Sequence, residues 1–329
     1  MTPRISVVVP LYNKAPYVRR ALVSIAQQTF SDFEVIVVND GSTDEGAEIA
    51  RSFADQRMRL VTQPNLGPGA ARNRGIKDAR ADLVAFLDAD DEWLPEYLEE
   101  GVALLDRAEP DVACVTLGYN TEPEATSHLS LWRRRGLTEG THRITPETSA
   151  ELVVHMLAYM SPCSTISRTE VLKRLGGFYA SGKCNYGEDA HLWLKVLLNE
   201  GVEFGFKPLA RFHVEDSSLS NNLPGVRPVE PFLLHPEELY AVCPPELEPL
   251  LAEVLMIRAL KTACVLGYWG YWREAKDLVR GFNTPSSWRY PYYAPSLICR
   301  TPLGGVIGRM LRRISPAVFL FLNIATHSK

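Results

Sequence analysis

Three carboxylates, Asp88, Asp90 and Asp91, fall within four positions of the stretch FLDADDEW, directly after the apolar run Leu83 to Leu87. Acids this close repel one another, and the repulsion raises their proton affinity unless a cation or several hydrogen-bond donors hold the charged form. The stretch therefore calls for a positive partner. A second acidic pair, Glu188 and Asp189 in GEDAHLWL, opens a segment whose apolar positions Leu192, Trp193, Val196 and Leu197 recur at helical spacing. The helix dipole favours acids at a helix start, so this pair has a structural reading beside any chemical one. His213, in RFHVEDSSLS, adds a titratable ring.

The elements that must position these residues are legible. Near-continuous Val/Ile/Leu runs at Ile5 to Pro10, Phe33 to Asp40, Met58 to Gln63, Asp82 to Asp90 and Asp111 to Gly118 predict strands covered on both faces, joined by helices into a parallel sheet. Tyr17, Val18, Ala21, Leu22 and Ile25 form one helical stripe. Ala47, Ile49, Ala50 and Phe53 form another, with Ser42, Thr43 or Asp44 as its cap. In an open parallel sheet, ligands collect beyond the carboxyl ends of the strands. Those ends are Pro10 to Asn13, Asn39 to Ser42, Gln63 to Gly69 and Asp88 to Asp91, which puts the acids in the crevice.

Tyr119 to Thr148 shows no clear period, carries the basic run Arg133 to Arg135, and reads as a solvated excursion, with a mobile acceptor-side loop as the alternative. A helix is expected over Glu151 to Met160, then a strand and a short helix ending at Gly176 and Gly177. Beyond the helix opened by Glu188, a pair of strands carries His213, and Pro224 to Pro236 reads as a boundary. Helical spacing over Glu246 to Leu266 and Tyr271 to Arg280 predicts a helical hairpin.

With 329 residues, 46% apolar and 22% charged, the composition is that of an ordinary soluble globular chain. A net charge of -4 provides no global basic field and argues against nucleic acid as a partner. Six cysteines lie far apart with no C-x-x-C pair, which fits neither a zinc site nor a disulfide framework and reads as reduced thiols of a cytoplasmic protein. The apolar run in MTPRISVVVP is too short for a signal peptide. Ala317 to Ala325 falls well short of the roughly 20 residues that cross a bilayer. Beyond Asp277 there is no acid, while Arg280, Arg289, Arg300, Arg309, Arg312, Arg313 and Lys329 accumulate among aromatics and leucines.

The succession SVVVPLYNKAPYVRRALVSIAQQTFSDFEVIVVNDGSTD, NLGPGAARNRGI, FLDADD, GGF and GEDAHLWL resembles glycosyltransferase family 2, over about Ile5 to Asn222. Its specificity lies in five motifs occurring in the family's order. The resemblance implies an α/β chain of the GT-A fold, a Rossmann-like, mostly parallel central sheet flanked by helices, with a C-terminal helical extension. The catalytic domain would be 1–222, with a nucleotide-sugar-binding half at 1–118 and an acceptor-binding half at 119–222, followed by a helical region at 223–329. The implied activity is an inverting, metal-dependent transfer of a sugar from a nucleotide-diphosphate donor, a UDP-sugar by resemblance, to a hydroxyl of a saccharide or lipid-linked acceptor in cell-surface polysaccharide, lipopolysaccharide or glycoconjugate synthesis.

Such a reaction leaves negative charge on a diphosphate, which a divalent cation stabilises as a Lewis acid, and hard Mn²⁺ or Mg²⁺ takes oxygen ligands. By resemblance, Asp88-Ala89-Asp90 supplies them, with Asp90 on the metal and Asp88 on the donor ribose or a metal-bound water, while Asp91 orients the pair. His213 would join the metal or the diphosphate, with Arg211 as a nearby cation. Asp40 would accept from N3-H of a uracil-like base, beside Asn39 where the family often has a further aspartate. Pro10, Tyr12 and Asn13 would wall the base pocket, and Ala71, Arg72 and Asn73 line the donor site. Asp189 matches the family's general base and Glu188 an orienting acid. Structural readings stand beside these: a helix cap near Pro95 for the aspartates, a turn at Gly41 for Asp40, and core or pocket wall for Trp93 and Trp193.

Other classes fit less well. Gly67-x-Gly69 begins like a dinucleotide fingerprint, but that motif needs its glycines straight after the first strand, where PLYNKAPY has none. A sugar-nucleotide nucleotidyltransferase would want a glycine-rich basic loop at the same place. A non-catalytic sugar-nucleotide-binding protein is opposed by the intact Asp88, Asp90 and Asp189. The C-terminal region reads either as a cover for the acceptor side or a homodimer contact, or as a peripheral contact with the inner face of the cell membrane, where basic residues and an apolar helix face would meet anionic lipid.

Overall fold

The structure, a computed structural model, describes residues 2–216, 226–282, 287–306 and 310. The chain divides into two compact units, one of residues 1–144 and 155–217 and the other of 145–154 and 218–329.

In the first unit, β1 (Ile5–Leu11), β2 (Phe33–Asp40), β3 (Met58–Gln63) and β4 (Leu83–Phe86) pair in parallel in the order β3-β2-β1-β4. The helices α1 (Ala15–Ala26), α2 (Gly46–Ser52) and α3 (Pro68–Asp78) connect them, so β1 and β2 are buried almost throughout and can be apolar without alternation. After β5 (Glu92–Trp93) and α4 (Tyr97–Arg107), β6 (Val112–Glu122) enters the same sheet. The segment without a clear period holds β7 (Thr126–Ser127), α5 (Leu129–Arg134) and β8 (Gly140–His142), and α6 (Ala150–Tyr159) follows. Then come β9 (Thr165–Arg168), α7 (Thr169–Arg174), α8 (Glu188–Asn199) and β10 (Gly201–His213). The full order is β3-β2-β1-β4-β9-β6-β10-β5, with β7 beside β6 and β8 beside β10. Strand β9 runs antiparallel to both its neighbours, while β10 is parallel to β6. The expected α/β sheet with flanking helices is what the chain forms.

Two expectations change. The fourth strand stops at Phe86, short of Asp90: after Leu87 N–H donates to the Val8 carbonyl at 3.0 Å the chain turns, with Asp91 N–H donating to the Asp88 carbonyl at 3.0 Å. The acids thus lie on a turn beyond the strand. The expected pair of strands around His213 is the single strand β10, whose register against β6 shifts on both sides of Pro208, a residue with no N–H for the ladder. The expected continuation to Asn222 lies outside the described residues.

Glycines of GPGAARNRG set how closely α3 packs. A Cβ on Gly75 would fall 2.2 Å from Val8 Cγ1, and one on Gly69 would fall 2.3 Å from the Tyr179 carbonyl oxygen. Only a residue without a side chain lets α3 sit this near β1 and the segment that follows α7.

The second unit contains α9 (Pro231–Leu234), α10 (Glu237–Tyr240), α11 (Glu248–Tyr268), α12 (Trp272–Arg280) and α13 (Tyr293–Cys299). The predicted hairpin is α11 with α12, joined by Met256, Leu260, Ala263 and Leu266 against Ala275 and Val279. On helix α13, Ser296, its hydroxyl on the Tyr293 carbonyl, and Cys299 are buried, while Leu297 and Ile298 are exposed. Among the described residues, no helix is long and apolar enough to cross a membrane. The stretch Ala317 to Ala325 and the cations from Arg309 onward lie outside them.

Candidate active site

The positive partners of the acidic turn come first from within the chain. Lys14, just past the end of β1, places Nζ 2.5 Å from Asp90 Oδ2, and Arg72 on α3 donates from Nη2 to Asp88 Oδ1 at 2.7 Å. Asp91 accepts the backbone N–H of His213 at 2.9 Å. These contacts do not cancel the crowding. Burial raises the proton affinity of Asp90 and repulsion from Asp88 adds to it; burial raises that of Asp91 further, with Asp90 and Asp88 adding. A divalent cation would relieve that repulsion, so the oxygen-rich turn suits the implied metal.

Which atoms would hold such an ion is a separate matter. Among the described residues, the one set of three ligand-type atoms lying within 4.8 Å of one another comes from Asp88, Asp91 and Cys163. Cys163 is buried and its Sγ accepts the Asp88 N–H at 3.3 Å. Burial and then the charges of Asp88 and Asp91 push its thiol well above the usual range, so it stays protonated. His213 turns its Nε2 to Glu92 Oε1 at 3.4 Å, and Arg211 pairs with Glu92 at 3.2 Å. His213 therefore meets the acidic turn through its backbone, and its ring is not part of the three-atom set.

Arg72 joins the two acidic clusters. Its second terminal nitrogen, Nη1, donates to Glu188 Oε1 at 2.9 Å across 116 positions of sequence, and its guanidinium lies 5.3 Å from the Phe178 ring centroid. The side chain is buried; desolvation opposes its charge, but Asp88 and Glu188 outweigh it and hold the guanidinium charged. Glu188, at the first position of α8, has its carboxyl raised to about 7 by burial and then by the charge of Asp189, against the pull of Arg72. Asp189 is half-buried, with Oδ1 accepting its neighbour's N–H from Ala190 at 2.8 Å. Burial raises its proton affinity, Arg72 lowers it, and Asp88 raises it again, so the acid of α8 and the acid of the turn share one field.

The expected donor-side residues divide into exposed and occupied. Tyr12 is exposed and Asn13 adopts φ 51°, with Oδ1 accepting Thr43 N–H at 2.8 Å. Asn13 thereby ties the tip of β1 to the loop after β2, beside half-buried Pro10. Asp40 is 2% exposed and accepts three hydrogen bonds, from Gln63 Nε2 at 2.8 Å, Leu66 N–H at 3.0 Å and Gly67 N–H at 2.8 Å. A carboxylate offers about four acceptor positions, so Asp40 is engaged mainly in fixing the entry to α3. Asn73 is similarly committed, exchanging two hydrogen bonds of 2.8 Å with the Phe178 backbone. Ala71 and Ala89 are buried, as are Trp93 and Trp193. A cavity of about 500 Å³ between α1 and β5, lined by Arg19, Arg20 and Glu92 among others, includes the expected cation Arg211 but none of the other expected donor, metal or catalytic residues.

Sequence reasoning missed Lys14 and Cys163. Lys14 follows the PLYN tip directly and could have been found by asking which cation lies at a neighbouring strand end; Cys163 sits 75 positions from Asp88 in a segment with no motif.

The family model described as glycosyl transferase family 2 matches residues 6–168. An uncharacterized glycosyltransferase of Rickettsia typhi is 30% identical over 220 residues, which is 67% of this chain and 67% of that protein. EpsH of Bacillus subtilis is 40% identical over 127 residues, 38% of this chain and 36% of EpsH. Glycosyltransferase GlyA of Streptococcus pneumoniae is 39% identical over 222 residues, 66% of this chain but 31% of GlyA. The chain thus spans about a third of the length of these last two relatives. Among solved structures, Staphylococcus aureus TarS 1-349 in complex with UDP has a TM-score of 0.62 at 21% identity, covering 95% of this chain and 92% of that one. Mannosyltransferase PcManGT from Pyrobaculum calidifontis in complex with GDP-Man and Mn²⁺ has a TM-score of 0.53 at 20% identity, covering 96% and 88%. At these identities the likeness is one of fold.

Proposed function

Because the chain belongs to glycosyltransferase family 2 and has the GT-A fold, we propose that it moves a sugar from a nucleotide-diphosphate donor, of the UDP class, to a hydroxyl acceptor with inversion at the anomeric carbon. The observation that carries this reading is the single cation, Arg72, shared by Asp88 of the acidic turn and Glu188 beside Asp189. Pro10, Tyr12 and Asn13 wall the base, and Asp40 holds the loop that completes the pocket. Asp90 with Asp88 would hold Mn²⁺ or Mg²⁺, with Asp91 and protonated Cys163 beside them. When bound, the cation neutralises charge on the diphosphate leaving group.

Asp189 takes the acceptor proton. As the acceptor oxygen forms its bond to the anomeric carbon, the bond from that carbon to the donor phosphate oxygen breaks, and the hydroxyl proton passes to the Asp189 carboxylate. Its raised proton affinity brings it nearer to the range in which a base works at neutral pH. Glu188 orients the start of α8 through Arg72. The pathway is synthesis of a cell-surface polysaccharide or glycoconjugate, with the protein resting on the inner membrane face through its C-terminal unit; the exposed Leu297 and Ile298 of α13 support that contact.

The test combines transfer and binding. With a UDP-sugar panel and Mn²⁺, Asp189→Asn should lower the transfer rate about 10²- to 10⁴-fold, the usual contribution of a general base, while retaining the donor-induced thermal shift. EDTA should abolish transfer by the native chain. Metal-independent turnover, or an active Asp189→Asn, would overturn the reading.

A further inference from the structure

Lys14 has no role in the mechanism above, yet it pairs with the carboxylate that the mechanism assigns to a metal. Its Nζ lies 2.5 Å from Asp90 Oδ2 and donates to the Asp216 carbonyl at 2.8 Å. The two side chains of the ion pair are 14% and 12% exposed. Arg20 completes a clasp, donating to Asp216 Oδ2 at 2.9 Å and also to the Asp90 carbonyl. The Tyr17 ring lies 5.5 Å from Lys14 Nζ and 5.7 Å from Arg20 Cζ. Lys14, Tyr17 and Arg20 recur at three-residue spacing where α1 begins, which sets them along one face.

The physical need for such a cation is plain. Asp90 is buried among like charges, and a buried carboxylate without a partner is strongly destabilising. An ammonium at hydrogen-bond distance supplies the partner, but it also excludes a divalent ion from the same oxygen, because two cations sharing one carboxylate oxygen repel at short range in a poorly screened setting. Occupation of Asp90 Oδ2 by Lys14 and by metal are therefore alternatives.

We propose that Lys14 is the resident counter-ion of Asp90, a positioning residue that a divalent cation must displace, and that the ammonium so released is taken up by the diphosphate of the incoming nucleotide. Metal alone then binds weakly, and metal and nucleoside diphosphate each strengthen the other by the same factor, as linkage requires. The inference rests on Asp90 being the metal ligand of the proposed transferase.

The experiment titrates Mn²⁺ into the full chain and follows the electron paramagnetic resonance signal of free Mn²⁺, with and without UDP. Lys14→Met should lower the Mn²⁺ dissociation constant about tenfold or more in the absence of UDP, equivalent to about 1.4 kcal/mol, and should shrink the tightening that UDP confers. Lys14→Arg, which keeps the charge, should stay close to the native chain. If Lys14→Met proves unfolded by circular dichroism, Lys14→Gln serves as the second neutral variant. An unchanged or weaker affinity in a folded neutral variant, with Asp90→Asn abolishing Mn²⁺ binding, overturns the role of Lys14 alone. Native-like Mn²⁺ binding by Asp90→Asn overturns the reading of Asp90 on which it rests.

Discussion

Arg72 carries two carboxylates at once, and Glu188 feels the cost of that crowded setting most clearly. Its carboxyl moves from the ordinary 4.5 to about 7 because burial and the neighbouring Asp189 disfavour the charge more than Arg72 favours it. The folded chain thus keeps a proton that the unfolded chain has already released. Stability from this group is complete below about 4.5 and is lost as pH rises through about 7, a loss on the order of 3 kcal/mol at about 1.4 kcal/mol per unit. Glu188→Gln cannot ionise, so its melting temperature should fall less between pH 4.5 and pH 7.5 than that of the native chain; parallel profiles would show that Glu188 does not titrate in this window. The raised acids Asp90, Asp91 and Asp189 share the sign and leave a residual slope in both. At this scale the sequence was informative where chemistry is local. Asp88, Asp90, Glu188 and Asp189 stand out by type and spacing, whereas the cations of the pairs Lys14–Asp90 and Arg72–Glu188 lie 76 and 116 positions from their acids. No local pattern encodes such pairs.

Elements explain why those distant residues meet. Helix α3 brings Arg72 between the turn and α8 only because it lies close on the sheet, and Gly75 permits this by leaving room for Val8. Gly75→Ala adds up to about 1 kcal/mol of helix propensity but forces a methyl into a β-branched side chain with little rotamer freedom, and overpacking typically costs about 1 to 3 kcal/mol. A net loss of about 1 to 2 kcal/mol in denaturant unfolding is expected. Val8→Ala should lower that cost of Gly75→Ala, giving a coupling of at least about 0.5 kcal/mol in a double-mutant cycle; strict additivity would place the strain elsewhere. The glycines were visible in GPGAARNRG, and comparison with a dinucleotide fingerprint showed what they are not. What they touch required the fold. The first three strands and the α11–α12 hairpin were readable because apolar runs and helical stripes are local signals. The end of β4 was misplaced because Leu87 and Ala89 are apolar and buried although they follow the strand's last residue, and β10 was divided in two because Pro208 looks like a break where the chain makes an irregular register instead.

Over the whole molecule, charge and apolar exposure are unevenly distributed. Large hydrophobics stand exposed at Trp288, Leu297, Ile298, Leu303 and Met310, in a stretch with no acid beyond Asp277. The proposed membrane contact would use these side chains, and the cations of the same stretch would suit anionic headgroups at about 1 kcal/mol each. The protein should therefore sediment with phosphatidylglycerol vesicles at low salt, less with phosphatidylcholine, and less again as salt shortens the Debye length. Leu297→Ser with Ile298→Ser should lose most of the bound fraction; a protein that stays in the supernatant, or that pairs with itself through this face, would refute the membrane contact. The cation shared by Asp88 and Glu188 has a practical corollary for anyone trimming the chain. A minimal fragment ending at Arg168, where the family match stops, would retain Arg72 and the acidic turn but lack α8. Such a truncate lacks the acid that the proposed reaction uses as its base, and its buried guanidinium has lost one of its two anchors.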